Sequence, residues 1–510
     1  MNEYKAVYDS IQIKIDAGDY SSALMLVDNY KALLLSSPDI KPLMALIRTI
    51  PDACFVSPLQ KLIMGWIAFL CGENLILSQI LSQMQETPPE TAEEKSLHYG
   101  LLALTRFTVD QNQGLEYARL SVEVIKDQPQ SFYYANALLT YGQLLGTANT
   151  LRESAEAFFK AYQIFRKERC YFPAVVSMVN YGLKKHTLGE IADIITIFQT
   201  ELTSTASMDQ DNHFFDLLRL PLGIALFEIN KQELAHIQLE KARDALYSMA
   251  FVHMFGVLEM YLTYVYALTH RFDQAIRLLD DLAQRTGKLE YDKVQVLIAG
   301  LRVHLSLMEK KPVPKDALER LELDYLLNGI NCSPYTMLNL TRLKLQGLYD
   351  SFDAGIIVKI LSQAEALGNV PESLTAAILA SEYFHKAGDT ASRQKCLEKA
   401  LCLFEKHHLT ARFLMDNVSC LRLICQSSSD LNRLLSPDSS GQKGIDDLTE
   451  RELEILKLIA EGLSNEEIAK RLFIGVGTTK WHITNLFSKL GVKRRTQALA
   501  EAKSRGLIPD

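Results

Sequence analysis

The stretch from Val476 to Leu490 contains the residues whose types and spacing best fit a defined chemistry, and that chemistry is DNA binding. Lys480, Trp481, Thr484 and Ser488 recur at offsets that place them on one side of a helix. A lysine can pair with phosphate or guanine, hydroxyls can bond to base edges or phosphates, and an aromatic ring can contact thymine methyl groups. This side of the helix is therefore predicted to read DNA.

The other side of the same helix is apolar apart from one hydroxyl, so it must pack on a core. Its members, Thr479, Ile483, Leu486 and Leu490, follow one another at offsets of three or four residues. Gly491 then supplies a residue that can end the helix.

Two helices are predicted to precede this one and to position it. The first begins at a capping box formed by Thr449 and Glu452, and Gly462 ends it. The second begins at once with another capping box, in which Ser464 pairs with Glu467. Two helices joined by such a short turn indicate a helix-turn-helix arrangement.

A fourth helix is predicted from about Thr496 to Arg505, which gives a small bundle of four helices. Each of the three flanking helices has an apolar stripe that should face the bundle core. These stripes are Leu453, Leu456, Ile459 and Ala460 in the first helix, Ile468, Ala469 and Leu472 in the second, and Ala498, Leu499 and Ala502 in the fourth.

The segment from Leu448 to Ile508 resembles the LuxR-type helix-turn-helix domain. That family's pattern runs L-T-x-R-E-x-E-V-L, G-x-S-N-x-E-I-A, I-S-x-x-T-V-K-x-H-x-x-N-I, K-L-x-V and R-x-x-A. The matching residues are Leu448, Thr449, Arg451, Glu452, Glu454, Leu456, Gly462, Ser464, Asn465, Glu467, Ile468, Ala469, Ile474, Thr478, Lys480, His482, Asn485, Lys489, Leu490, Val492, Arg495 and Ala498. Two positions depart from the pattern, since Gly475 replaces a serine and Thr479 replaces a valine. Neither change removes a cation or a base-facing group.

The resemblance implies roles for individual residues and for partners. Lys480, Trp481 and Thr484 correspond to base-facing positions, although a solvated face, or for Trp481 a contact with the rest of the chain, is the alternative. The residues that correspond to phosphate-contacting or helix-bracing positions are Thr478, His482, Asn485, Lys489 and Arg495. The implied partners are double-stranded DNA, a second copy of the chain in a homodimer on DNA, and RNA polymerase.

The rest of the chain has the composition of an ordinary folded protein, with 48% apolar and 23% charged residues among 510. The amino terminus lacks a basic start and an apolar run, and no segment reaches about 18 apolar residues without charge. Eight cysteines are scattered, with no C-x-x-C pair and no histidine at ligand spacing. We therefore expect a cytoplasmic chain without a membrane span, and no metal or cofactor site.

Charge is unevenly shared along the chain. Residues 446–510 contain 11 Lys and Arg against 10 Asp and Glu, whereas residues 1–445 contain 43 against 51. The larger part, with a net charge of −8, should be repelled by DNA. Cations gather late in the smaller part, at Lys480, Lys489, Lys493, Arg494, Arg495, Lys503 and Arg505. That distribution suits phosphate contact.

Residues 1 to about 426 alternate helix, short turn and helix, with turn residues spaced by about 40 residues or a multiple of it. These turn residues are Gly18-Asp19, Gly72, Asp110, Gly146, Gly189, Asn230-Lys231, His270-Arg271, Lys310-Lys311 and Gly388-Asp389. The clearest units are Tyr134–Tyr162, Met260–Ala283 and Ala377–Leu401. They resemble tetratricopeptide-like repeats with a lengthened period, although an irregular all-helical domain is the alternative.

Such repeats stack into a superhelix whose concave face can hold a small molecule or a peptide, so the resemblance implies an effector there. Tyrosines are frequent in this region, for example Tyr261, Tyr264 and Tyr266. A helical stripe of aromatic residues is more often core than pocket, so no effector-binding residue is assigned from the sequence.

The layout as a whole is similar to the carboxy-terminal part of the large, MalT-like LuxR-family regulators, in which an ATP-binding domain precedes the repeats. Residues 50–72 look like the start of that family's repeat region. No G-x-x-x-x-G-K-[ST] loop occurs in this sequence, so it is either a naturally short regulator or a chain that lacks the nucleotide-binding part.

We therefore predict an all-α chain in which a superhelical tetratricopeptide-like repeat domain is followed by a small four-helix LuxR-type domain. The predicted boundaries are 1–426 for the repeats, 427–445 for a flexible linker rich in Ser, Gly and Asp, and 446–510 for the DNA-binding domain.

The favoured function is sequence-specific transcription regulation, as an activator whose repeats receive a small-molecule or protein signal. The alternative is an interaction scaffold whose terminal domain binds DNA weakly or not at all. An enzyme is the least favoured class, because no nucleophile–base pair, paired acidic cluster or metal-ligand spacing stands out.

Overall fold

The computed structural model describes residues 2–416, apart from gaps at 108, 149, 206–212, 249–254, 287–291, 330–331, 351–352 and 354, and then residues 450–471, 479, 483, 486–487, 490, 492 and 494–504. The chain divides into two compact units, Met1–Leu421 and Arg422–Asp510. Within the described residues all regular elements are helices, which confirms the all-α fold class. None of these helices has the length and apolarity needed to cross a membrane.

The first unit consists of helices joined mostly by turns of a few residues. They are α1 (Asn2–Asp16), α2 (Tyr20–Leu35), α3 (Lys41–Ile47), α4 (Pro58–Cys71), α5 (Asn74–Glu86), α6 (Ala92–Arg106), α7 (Gln111–Glu123), α8 (Phe132–Thr147), α9 (Leu151–Lys167), α10 (Tyr171–Thr187), α11 (Ile191–Thr205), α12 (Arg219–Glu228), α13 (Gln232–Ser248), α14 (Phe255–Leu268), α15 (Phe272–Thr286), α16 (Asp292–Glu309), α17 (Lys315–Asn328), α18 (Pro334–Leu345), α19 (Ile356–Ala366), α20 (Val370–Lys386), α21 (Thr390–His407) and α22 (Thr410–Met415). Short 3-10 helices occupy Asp52–Cys54 and His213–Leu218.

These helices repeat in pairs, as the sequence predicts. From α8 onwards the first helices of successive pairs begin at residues 132, 171, 219, 255, 292, 334 and 370, a period of about 40 residues. The three sequence units coincide with α8/α9, α14/α15 and α20/α21, and in each pair the two helices pack on each other. The repeat architecture is therefore confirmed.

Most of the predicted turn residues have a left-handed backbone that stops a helix. Gly18, Gly72, Gly189 and Gly388 have φ between +70° and +76°, which glycine adopts without a steric cost. Asn230, His270 and Lys310 take the same conformation at φ of 58° to 60°. After Gly18 and Gly388 an aspartate caps the next helix, since Asp19 and Asp389 accept the backbone N–H of Ser22 and Ser392.

Gly146 and Asp110, two further predicted turn residues, do not have this left-handed backbone. Gly146 lies in the last turn of α8, so the predicted turn follows this glycine instead of containing it, and a Cβ at this position would be 2.6 Å from the Lys184 Nζ. Asp110 lies in a turn, but as the residue that caps α7 through the Gln113 N–H.

The first helices of successive pairs form a continuous layer. α10 packs on α12, and the series continues through α14, α16, α18 and α20 to α22. α10 also contacts α20, and α22 contacts α12 and α14. The layer therefore curves until its later helices meet its earlier ones, and the side chains on its inner face converge.

The second unit contains α23 (Glu450–Ala460), α24 (Asn465–Arg471) and α25 (Arg495–Ser504). Residues 479, 483, 486, 487 and 490 are also helical. Their common core consists of Ile455, Leu456, Leu458, Ile459, Ile468, Ile483, Leu486, Leu490, Ala498 and Ala502. Ala460, predicted to face inwards, is exposed, because Ile455 and Leu458 complete the buried side of α23 in its place.

Candidate DNA-binding domain and the polar interior of the repeats

The turn between α23 and α24 has the geometry that the sequence predicts. Gly462 has a φ of +87°, and the N–H groups of Gly462 and Leu463 return to the carbonyls of Ile459 and Leu458. Ser464 and Glu467 then form the predicted capping box, with the Glu467 N–H donating to Ser464 Oγ at 3.3 Å and the Ser464 N–H donating to Glu467 Oε2 at 2.7 Å.

The predicted inward face of the third helix is confirmed. Thr479, Ile483, Leu486 and Leu490 are all helical and buried, with at most 8% of each side chain exposed. Thr479 is fully buried, although its hydroxyl replaces the valine of the family pattern. The register of the helix against the core is therefore the one that its sequence indicates.

Arg495 is the one predicted DNA-contacting residue that lies within the described residues. Its Nη2 donates to the backbone carbonyl of Ile459 at 3.3 Å and to that of Leu463. Ile459 lies in the last turn of α23, and Leu463 lies in the turn that follows this helix. Arg495 thus ties the start of α25 to the turn before α24, which is the bracing role considered for it.

The other predicted contact residues lie outside the described residues. They are Thr478, Lys480, Trp481, His482, Thr484, Asn485 and Lys489. The same holds for Thr449, Leu472, Gly475 and the whole predicted linker 427–445, so the domain boundaries and base-reading roles stay predictions. Exposed cations within the described part of this unit are Lys457, Arg471, Arg494 and Lys503.

We expect Arg495→Ala to destabilise the second unit by about 1–3 kcal/mol, because the Leu463 carbonyl loses the Arg495 donor while that of Ile459 keeps the Gly462 N–H. Hydrogen exchange of the α23 and α24 amides in the full chain measures this effect. Arg494→Ala is the matched control, since Arg494 is the exposed neighbour of the half-buried Arg495. Normal protection with weakened DNA binding would instead make Arg495 a phosphate contact.

The first unit contains a polar cluster that sequence patterns did not reveal. Glu228, at the end of α12, is fully buried and accepts hydrogen bonds from Arg412 in α22. His186 Nε2 lies 2.8 Å from Glu228 Oε1, and the Tyr261 hydroxyl lies 3.4 Å from the same oxygen. Burial raises the pKa of this carboxyl, but Arg412 and His186 outweigh it and lower the pKa of Glu228 to about 2.

A second buried group adjoins the end of α22. The guanidinium of Arg342 in α18 donates two hydrogen bonds to the Asp416 carboxylate. They run from Nε to Oδ1 at 2.5 Å and from Nη2 to Oδ2 at 3.0 Å. His304 in α16 donates from Nε2 to the Met415 carbonyl at 3.1 Å. Burial, together with the charge of Arg342, lowers the pKa of His304 to about 3, so its imidazole is neutral near pH 7.

One sequence signal could have pointed to these groups, namely single charged or imidazole residues inside apolar helices. Glu228 ends the otherwise apolar run GIALFE, whereas Arg342 lies in the mixed stretch NLTRLKL, where this signal is absent. The tyrosines are buried as expected for core residues, with Tyr261, Tyr264 and Tyr266 between 3% and 9% exposed. In the described part of the chain no group of three or more His, Cys, Asp or Glu could hold a metal ion.

Comparisons with known proteins concern mainly the second unit. Residues 446–502 match the family described as bacterial regulatory proteins, luxR family. The transcriptional regulatory protein LiaR of Bacillus subtilis is 52% identical over 71 residues, which are 14% of this chain and 34% of that protein. The response regulator VraR of Staphylococcus aureus is 54% identical over 61 residues, 12% of this chain and 29% of that protein.

The chain thus spans about a third of the length of these curated relatives. A crystal structure of a Rap protein complexed with competence and sporulation factor aligns with 80% of this chain and 99% of its own, at 12% identity and a TM-score of 0.43. A TM-score at that level does not establish a common fold.

Proposed function

Because residues 446–502 form a LuxR-type helix-turn-helix domain, we propose that this chain is a sequence-specific DNA-binding transcription regulator. The observation that carries the proposal is the buried face of the third helix, Thr479, Ile483, Leu486 and Leu490. The spacing of Lys480, Trp481 and Thr484 predicts that they lie on the opposite side of the same helix. In this proposal those three residues read bases in the major groove.

The same proposal assigns the surrounding cations to phosphates. The described unit exposes Lys457, Arg471, Arg494 and Lys503, and cations near a recognition helix supply affinity without sequence preference. Lys489 and Lys493 would add to this surface. The chain would act in the cytoplasm, where it meets its DNA.

We further propose that the chain binds DNA as a homodimer and that its repeats receive a signal. A homodimer on two half-sites is the usual solution for a helix-turn-helix, because each copy then reads one half of a palindrome. Contact with RNA polymerase would make the regulator an activator. The helical repeats of the first unit would receive a small-molecule or protein signal, as stacked helix pairs provide a large inner surface.

We expect the full chain to enrich a palindromic site from a random DNA library. Lys480→Ala should reduce affinity for that site by about 1–3 kcal/mol, roughly 5- to 150-fold, and relax the preference at one base position. Trp481→Ala should also weaken the selected site more than random DNA. The measurement is the affinity of each variant for the selected site and for a scrambled duplex.

Lys457→Ala is the matched comparison, because Lys457 is an exposed cation of a different helix that the proposal assigns to phosphates, so its loss should weaken binding to both duplexes equally. An equal loss on both duplexes would make Lys480 a phosphate contact. Failure of both the full chain and residues 446–510 alone to enrich any sequence, even at low salt, would argue for the scaffold alternative.

A further inference from the structure

The last described residues of the first unit lie inside the layer of first helices. α22 packs on α12, α14 and α20, and its side chains Ala411 and Phe413 are fully buried. Met415 and Asp416 are also buried, at 3% and 4% exposed. The segment Thr410–Asp416, here called the inner segment, is therefore buried against helices of this layer.

The two charges of the inner segment are held by residues far away in sequence. Arg412 binds Glu228 and donates from Nη2 to the Tyr261 hydroxyl at 3.0 Å. At the other end, Asp416 binds Arg342, whose Nη1 also donates to Asn339 Oδ1 at 3.2 Å. The partners belong to α12, α14 and α18, so the inner segment joins three helices of the layer.

Stability alone does not explain why these groups are charged. A buried ion pair must recover the cost of desolvating both ions, and apolar side chains of similar volume often hold a core as well or better. The two pairs instead give the surface that surrounds the inner segment two different ends. Glu228 binds a cation at one end, and Arg342 binds a carboxylate at the other. Glu372 in α20 is a neighbouring acid, and burial raises its pKa although the charge of Arg412 acts in the opposite direction.

We propose that this inner face is a ligand-binding site, that the inner segment occupies it as an internal ligand, and that the external ligand is a short peptide carrying one cationic group and one carboxylate. The proposal deepens the proposed function, on which it rests, by naming where the signal is received. An entering peptide takes over the bonds to Glu228 and Arg342 and expels residues 410–416. The expelled segment immediately precedes the chain that leads to the DNA-binding unit.

The test uses the full chain and the internal ligand itself as the probe. Arg412→Gln combined with Asp416→Asn removes both charges of the inner segment while conserving its size. A fluorescent peptide with the sequence of residues 409–416, LTARFLMD, is then added, and binding is followed by anisotropy. The variant is expected to bind it at least about tenfold more tightly than the wild-type chain, whose own segment competes at an effective concentration near ~1 mM.

The matched control is the same peptide with Gln and Asn in place of its Arg and Asp. Binding of the charged peptide alone supports the proposal. The proposal is overturned if the variant keeps the wild-type circular dichroism spectrum but does not bind the charged peptide. Equal binding of both peptides also overturns the proposal.

If the double variant does not fold, hydrogen exchange of the wild-type chain still tests the proposal. Hydrogen exchange should show the amides of the inner segment opening at least tenfold more often than those of α20, because a displaceable segment opens without global unfolding. Equal protection in both would make the inner segment permanent core and overturn the proposal. Neither readout involves DNA, so a failure here leaves the proposed DNA binding untouched.

Discussion

Glu228→Gln is expected to lower the free energy of unfolding of the first unit by about 3–5 kcal/mol, because the substitution leaves Arg412 buried without its counter-charge. Glu228 is completely buried, and its carboxylate binds Arg412, His186 and the Tyr261 hydroxyl. A glutamine amide can retain some of these hydrogen bonds, but it cannot neutralise the guanidinium. Urea denaturation of the full chain at pH 7 measures the effect.

Glu233→Gln provides the control for a general effect of removing a carboxylate. Glu233 is 77% exposed, and its oxygen lies 3.8 Å from Arg271, so its loss should cost less than about 1 kcal/mol. A second comparison adds Arg412→Met to Glu228→Gln, which removes both charges and should bring the stability back towards wild type. A cost for Glu228→Gln as small as that for Glu233→Gln would contradict our account of the cluster.

The difference in unfolding free energy between wild type and Glu228→Gln should depend on pH in a definite direction. The pKa of Glu228 falls from its ordinary value of 4.5 to about 2 on folding. A lowered carboxyl pKa contributes stability that is fully present above pH 4.5 and is lost as the pH falls towards 2. The stability gap between wild type and Glu228→Gln should therefore be widest near neutral pH and narrow below about pH 4.5.

DNA affinity of the full chain is expected to fall by about 10³-fold or more between 50 and 200 mM salt, if a dimer makes roughly 6–10 phosphate contacts. The physical reason is that each neutralised phosphate releases counterions, and added salt opposes that release. The first 445 residues carry a net charge of −8 and add repulsion rather than attraction. Titration of the selected site at a series of salt concentrations gives the slope.

Two variants make the salt experiment specific. A variant lacking a phosphate contact should show a shallower slope, whereas a variant lacking a base contact should keep the slope and lose sequence preference. Lys489→Ala is expected to behave in the first way and Lys480→Ala in the second. A shallow slope for the wild-type chain would favour a protein-docking terminal domain, and hence the scaffold alternative.

The local features of the fold could be predicted from the sequence because short-range physics sets them. Ser464 and Glu467 are three residues apart, and this spacing alone allows the capping box that the structure shows. The left-handed residues that end helices, such as Gly72 and Asn230, also follow from local backbone preferences. The inward face of the third helix needed only the helical period.

Local reasoning was wrong where packing decided the role of a residue. Gly146 resembles the other turn glycines in sequence, yet it lies in the last turn of α8, where a Cβ would meet the Lys184 side chain of α10. Ala460 continues an apolar stripe, yet it is exposed, because the core is already filled by larger neighbours on α23.

The sequence by itself thus determined the helix pairs, their turns and the LuxR-type pattern of the second unit, since each depends on residues a few positions apart. Only the tertiary structure joined Arg412 to Glu228 across 184 positions, and Arg342 to Asp416 across 74. It also turned Arg495 onto the end of α23, 36 positions earlier in the chain. No periodicity encodes such pairs, because they arise from the curvature accumulated over many stacked helices and from the need of buried charges for a partner.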